Sequence, residues 1–387
     1  MSQQCTVAKV APAGSFREEV KSAILRWLSQ GEHTGSFVVE KRSLAFSSSI
    51  GRRDENQDRT LFLRLLPQVQ TWPVLEAIVL CDGMGGMAEG ATAAELALSS
   101  FVGAFSTKKY GSLADHLCAA VEAANEDVYR RFGGRGGATL SSVAVSSDGE
   151  MAGVNVGDSR IYGLFEDDQL VQFSKDDTLG NVLPELAKPG SPGRLGELLQ
   201  FVGVGKGIVP HRIDLRNSPS PFKCLFLTSD GAHRLHQPVF DEVVKSSPGI
   251  VECAKRLTAL AEWTGGKDNA TVAIWHAPHK QIQQPALEGR GSLEIWGIQG
   301  KYELTTRQES PSYFRGRDQG DARGSRRNLP PRNRRNPTGE RADSNNESDG
   351  LRQESDHRFD SADSDQAVGV DSADGNKSQL EIEVIET

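Results

Sequence analysis

Asp82 lies in Cys81-Asp82-Gly83-Met84-Gly85-Gly86, directly after the largely apolar run Val74–Leu80. A carboxylate at the mouth of a core strand, in a glycine-rich turn that lets backbone atoms reach a ligand, suits the binding of a cation. Asp158 ends the strand-like Val154-Asn155-Val156-Gly157, and Asp230 follows Leu225-Phe226-Leu227-Thr228-Ser229 in the same way. Asp268-Asn269 instead precedes the apolar run Ala270–Trp275. No histidine or cysteine cluster matches these aspartates, so the ligand set is all oxygen and points to a hard cation. Converged, they make a metal-dependent hydrolase. Taken singly, each is equally an ordinary turn aspartate accepting local backbone hydrogen bonds.

The elements that must position them can be read from pattern. Ser15-Phe16-Arg17-Glu18 has capping-box spacing, and Phe16, Val20, Ile24, Trp27 and Leu28 line one face of a helix ending near Gly31. Such a face is expected to dock on the following domain, with partner binding as the alternative. Ser36–Phe46 and Arg59–Leu66 read as strands on either side of a turn-like Ser47–Asp58 segment. Helices are expected over Glu89–Phe105 and Leu113–Phe132, the second broken by Gly133-Gly134-Arg135-Gly136-Gly137. Strands follow near Leu140–Ser146, Met151–Val156 and Arg160–Phe165, with Asp148-Gly149 as a hairpin turn. Residues 174–196 read as a surface excursion. A strand at Lys223–Ser229, a helix near Gly249–Trp263 and a strand at Ala270–Trp275 complete an α+β layered domain.

The chain has 387 residues and 37% hydrophobic content, and the apolar deficit lies near its end. Three segments are expected: an N-terminal extension with an amphipathic helix at 1–35, starting with a mobile 1–14; a folded domain at 36–277; and a charged tail at 278–387. Within the tail, Ser292–Thr305 has the pattern of a short hairpin. Arg315–Arg341 is arginine-rich and Asp343–Glu386 is dominated by acidic and small polar residues, so most of the tail is expected to be disordered. A net charge of -8 argues against a general nucleic-acid surface, leaving at most a weak RNA contact by the arginine-rich block. Five scattered cysteines suggest buried free thiols in a cytoplasmic protein, and no run is long enough to span a membrane.

Upstream of Asp82 lies Gly51-Arg52-Arg53-Asp54-Glu55-Asn56-Gln57-Asp58. With it, the series resembles the metal-dependent protein phosphatase family (PPM, the type 2C serine/threonine phosphatases) over residues 36–277. The resemblance rests on Arg53–Asp58, Asp82–Gly86, Gly137-Ala138-Thr139-Leu140, Gly157-Asp158-Ser159-Arg160, Ser229-Asp230-Gly231 and Asp268-Asn269-Ala270-Thr271. Leu199–Gly205 also resembles the family segment before the third of the metal-binding motifs.

This resemblance implies a sandwich of two antiparallel β-sheets flanked by helices, with a metal site at one end. It implies that Asp82 bridges two Mg2+ or Mn2+ ions and that the Gly83 carbonyl binds one of them. Asp230 and Asp268 then hold the other, Asp58 acts through coordinated water, and Asp158 with Asp230 holds a third ion. Arg53 offers a planar donor fork for the phosphoryl oxygens. Gln57 stands where many members are acidic. Met84 stands where eukaryotic members carry a histidine acid, as is common in bacterial members, leaving water as the proton source. His233 and His236 are expected to be surface or packing residues. The implied function is hydrolysis of phosphoserine and phosphothreonine in substrates of serine/threonine kinases by a monomer. A phosphoprotein-binding pseudophosphatase is the alternative.

Overall fold

The computed structural model describes residues 16–67, 72–84, 89–107, 111–182, 197–216, 221–278 and 290–307. The expectations for residues 1–14, Gly85, Gly86, residues 183–196 of the loop and the charged blocks after Arg307 lie outside the described residues.

Helix α1 (Phe16–Leu28) buries Val20, Ala23, Ile24 and Leu28, which recur at helical spacing. They pack into one apolar cluster with Ala94, Leu98 and Phe101 of α2 (Gly90–Phe105) and Leu117, Val121 and Val128 of α3 (Leu113–Phe132). The expected docking of the first helix is therefore present, although Phe16 is 37% exposed. Ser112 caps α3 with a reciprocal capping box to Asp115, and Gly133 ends it in the left-handed conformation.

The strand expected at Ser36–Phe46 is two strands, β1 (Gly35–Val39) and β2 (Leu44–Ser49). The charged turn Glu40–Arg42 and a left-handed Ser43 (φ 50°) reverse the chain between them. Strand β2 continues through Ser47 and Ser48 because their hydroxyls find buried partners in Thr258 (2.8 Å) and Thr271 (2.7 Å).

Strands β3 (Asp58–Leu66), β4 (Leu75–Asp82), β5 (Leu140–Ser146), β6 (Met151–Val156) and β7 (Arg160–Phe165) follow the expected order. Short β8 (Leu170–Gln172), helix α4 (Leu179–Val182) and β9 (His211–Asp214) were not foreseen. Strand β10 (Phe222–Thr228) leads into the single turn α5 (Asp230–His233), then α6 (Gln237–Ser246), α7 (Ile250–Trp263) and β11 (Ala270–His276). The expected hairpin forms as β12 (Arg290–Gly297) and β13 (Gly300–Arg307), and it carries the sheet beyond residue 277.

One sheet has the order β1-β2-β11-β10-β7-β8 and the other β13-β12-β3-β4-β5-β6-β9, and every pairing between these strands is antiparallel. Leu44, Phe62, Ile78, Leu80, Leu225, Leu227 and Trp275 fill the space between the sheets. Helices α1–α3 cover the outer face of the second sheet, and α6 and α7 cover the first through Phe240, Val244 and Leu257. This is the expected α-β-β-α sandwich. The buried charge in β4, Glu76, is held by Arg42 at 3.4 Å and Arg64 at 3.1 Å.

Two outcomes follow for stability. Ile24→Ala should cost about 2–5 kcal/mol, read from urea unfolding, because its buried side chain fastens α1 to the domain. His33, just after α1, has its imidazole pushed down to about 4 by burial and by Arg59. The unfolded chain therefore takes up a proton below its ordinary value of 6.5 that the folded chain refuses until about 4. Stability should fall across that window on acidification, and a His33→Gln variant should show a flatter pH profile.

Candidate metal and phosphate site

The site is assembled at one end of the sandwich by strand register. Asp58, the first residue of β3, pairs directly with Asp82, the last of β4. The Asp82 turn is tied to the Gly137–Thr139 segment: Thr139 N donates to Asp82 O (2.9 Å), Asp82 N to Thr139 Oγ1 (2.9 Å), and Met84 N to Gly137 O (3.1 Å). Thr139 Oγ1 also shares a hydrogen bond with Ser159 Oγ at 2.7 Å, linking this turn to the Asp158 loop. Gly83 is required by close packing, since a Cβ there would lie 2.3 Å from Gly90 O and 2.9 Å from Gln57 O.

The opposite sheet supplies the other carboxylates. Asp230 begins α5 just after β10, and Asp268 precedes β11. Gly231 lets these two segments touch, because a Cβ there would meet Asn269 O at 2.0 Å. Asn269 in turn fastens the Arg53–Asp58 loop: its Oδ1 accepts from Gln57 N (2.8 Å), and its Nδ2 donates to Ile50 O (3.0 Å) and Glu55 O (3.1 Å). Asn56 holds the loop from the other side, with Nδ2 donating to His33 O (3.0 Å), Thr34 Oγ1 (3.1 Å) and Ser48 Oγ (2.9 Å), while Oδ1 accepts from Asp58 N (3.1 Å).

Ser229 joins the sheets. Its hydroxyl donates to Asp58 Oδ2 at 2.8 Å and accepts from Thr271 N at 2.8 Å. Asp58 is 1% exposed, and its other oxygen, Oδ1, has no hydrogen-bond partner among the described residues. An orphaned buried carboxylate oxygen is costly unless something binds there.

The electrostatics carry the same message. Burial pushes Asp82 well above the usual carboxylate range, and Asp58, Asp230, Asp158 and Asp268 add to it. Burial raises Asp58 to about 6, offset in part by the Thr271 and Ser229 hydroxyls and reinforced by Asp230 and Asp268. Asp158 rises to about 7 through burial, Asp230 and Asp176. Burial also raises Asp230, against the pull of Arg234. Four carboxylates pushed towards neutrality, with that of Asp268 beside them, form an oxygen donor set suited to divalent cations.

Among the described residues these side chains do not close three together at ligand distance. Guanidinium groups take part of the charge instead. Arg53 Nη2 is 2.9 Å from Asp268 Oδ2, and Arg53 Nε donates to Lys267 O at 3.3 Å. Arg234 pairs with Asp230, and its Nη1 lies 3.6 Å from Asp268 Oδ2. All the sequence-derived residues thus share one region: Arg53, Asp58, Asp82, Gly83, Asp158, Asp230 and Asp268.

Sequence reading missed Ser229 as the bridge between sheets, Asn269 as the loop anchor, and Arg234. It also missed Asp177, whose carboxylate accepts from Gly157 N (2.9 Å) and Gln200 Nε2 (3.0 Å) and pairs with His211 Nε2 (2.6 Å). Arg234 was marked only by its i,i+4 spacing from Asp230. His233 is a packing residue as expected, buried with Nδ1 2.9 Å from Thr228 Oγ1. Cys81, Cys118, Cys224 and Cys253 are buried free thiols. Among the described residues no helix is long and apolar enough to cross a membrane.

No family model matches the chain. The chain is 32% identical over 212 residues to the serine/threonine protein phosphatase PstP of Mycobacterium tuberculosis, a match covering 51% of this chain and 39% of that protein. It is 25% identical over 260 residues to a putative protein phosphatase 2C-type of Streptococcus pyogenes, covering 62% of this chain and 99% of that one. The serine/threonine phosphatase Stp1 of Staphylococcus aureus has the same fold, with a TM-score of 0.51 at 22% identity, covering 64% of this chain and 98% of that one. The chain is thus similar in sequence to bacterial serine/threonine and type 2C protein phosphatases and shares their fold. It spans 39% of the length of the PstP relative it matches.

Ser229→Ala should lower Mn2+ affinity about tenfold or more by calorimetry, since it frees the carboxylate of Asp58 from its anchor. Unchanged affinity with an intact fold would remove Ser229 from this role.

Proposed function

We propose that this chain is a metal-dependent protein serine/threonine phosphatase that hydrolyses phosphoserine and phosphothreonine in proteins phosphorylated by serine/threonine kinases. The observation that carries the reading is the gathering of five strand-end aspartates from both sheets, with Arg53 at their edge. The similarity to bacterial protein phosphatases supports it, and the retained carboxylates give no support to a binding-only pseudophosphatase.

Asp82, the Gly83 carbonyl, Asp230 and Asp268 would hold two Mg2+ or Mn2+ ions. Asp58 would act through water, and Asp158 with Asp230 would serve a third ion. Bound divalent ions supply an acidified water as nucleophile and neutralise phosphoryl charge. The chain's own residues do the positioning. Exposed Arg53 would bind phosphoryl oxygens, exchanging the Asp268 carboxylate for substrate. Ser229 fixes one face of Asp58, and the Thr139 and Gly137 contacts hold the Asp82 turn still. Met84 has no proton to give, so the leaving serine or threonine oxygen is protonated from solvent. The same reading proposes a cytoplasmic monomer.

The full chain should hydrolyse p-nitrophenyl phosphate and a phosphothreonine peptide with Mn2+ and lose activity on chelation. Asp82→Asn should reduce turnover at least about a hundredfold. Equal rates for wild type and Asp82→Asn would end the phosphatase reading.

A further inference from the structure

Two guanidinium groups, not one, reach the outer oxygen of Asp268. Arg53 Nη2 lies 2.9 Å from Oδ2 and Arg234 Nη1 3.6 Å from the same atom. They arrive from different parts of the fold. Arg53 comes from the loop before β3, while Arg234 comes from the turn that also carries Asp230, with its other nitrogen paired to the Asp230 carboxylate. Both side chains are open to solvent, Arg53 at 40% and Arg234 at 58%, whereas Asp58 and Asp82 lie deeper.

This geometry has a chemical reading. Two planar donor forks around one anionic oxygen are the arrangement that a phosphoryl group, with several oxygens to share, exploits best. Neither arginine is buried beneath its carboxylate, so neither pair is a fixed structural tie of the core. An exposed ion pair is worth little in water and is readily exchanged. Whatever draws the Asp230 and Asp268 carboxylates inward leaves both guanidiniums with unspent donors at the mouth of the site. The backbone keeps Arg234 in place, since its N–H donates to Asp230 O at 2.9 Å and so moves with the aspartate.

We propose that Arg234 is a second phosphate-binding residue, acting with Arg53 as a two-arginine clamp on the phosphoryl group of the substrate. This rests on the phosphatase reading above and adds a residue to it. In the absence of substrate the clamp rests on Asp230 and Asp268, and in its presence it transfers to the phosphoryl oxygens. Arg234 is then a determinant of substrate affinity more than of turnover, because it contributes binding charge and takes no part in activating the nucleophile.

The test compares wild type, Arg234→Gln and Arg234→Lys as full chains with Mn2+. Inorganic phosphate is titrated in by calorimetry, and the phosphothreonine peptide is assayed for KM and kcat separately. Arg234→Gln should weaken phosphate binding and raise KM about tenfold or more, with a smaller change in kcat, and Arg234→Lys should recover part of the loss. Mn2+ titrated alone should bind Arg234→Gln at least as tightly as wild type, since a competitor for the carboxylates has gone. Unchanged phosphate affinity in Arg234→Gln overturns the proposal. Weakened Mn2+ binding in that variant also overturns it, by showing that Arg234 serves the acidic residues. If wild type shows no turnover, the phosphatase reading fails, and the phosphate titrations still decide the role of Arg234.

Discussion

The hydroxyl of Ser229 reaching across to Asp58 is the contact on which the geometry of this site turns. Asp58 begins a strand of one sheet and Ser229 follows a strand of the other, so this hydrogen bond fixes how the two halves of the sandwich meet at the acidic end. It is strong because a charged acceptor is met by a donor where water is excluded. Ser229 is itself held by Thr271, whose backbone N–H donates to the same hydroxyl oxygen. A serine satisfied on both sides has no freedom to drift, and the carboxylate it touches inherits that rigidity.

Around this contact the fold solves a problem of charge. Five aspartates are gathered here, and burial together with neighbouring carboxylates raises the cost of ionising Asp58, Asp82, Asp158 and Asp230. The sheets bear that cost through the apolar layer between them and the helices packed outside. Short polar links, such as Thr139 with Ser159 and Asn269 with Gln57, then set the acidic turns against one another. The site is therefore a strained assembly on a rigid frame, and the arginines at its rim offset part of the repulsion.

Much of this was legible in the sequence, and the reasons are local. The core strands announced themselves as apolar runs ended by glycine and aspartate, and the end of α3 was marked by the glycines after Phe132. The acidic residues stood out because an aspartate at a strand end is unusual when repeated. What stayed hidden depended on meetings between distant parts of the chain. Nothing near Ser229 marks it as the partner of a residue 171 positions away. Strand β2 was cut short because Ser47 and Ser48 read as turn residues, and only their buried threonine partners make them strand. Strand β9 is four residues long and mostly polar, too slight for pattern to find.

Asn56 carries one more implication. Its side chain holds the segment that leaves α1, at the His33 carbonyl and the Thr34 hydroxyl, and also receives the N–H of Asp58. The seating of the first helix and the posture of an acidic residue in the site thus share one amide. Thermodynamic reciprocity then applies to the coupling this amide carries: through it, the effect of the helix on Asp58 equals the effect of Asp58 on the helix. The amino-terminal segment is in this sense a remote gauge of the state of the site.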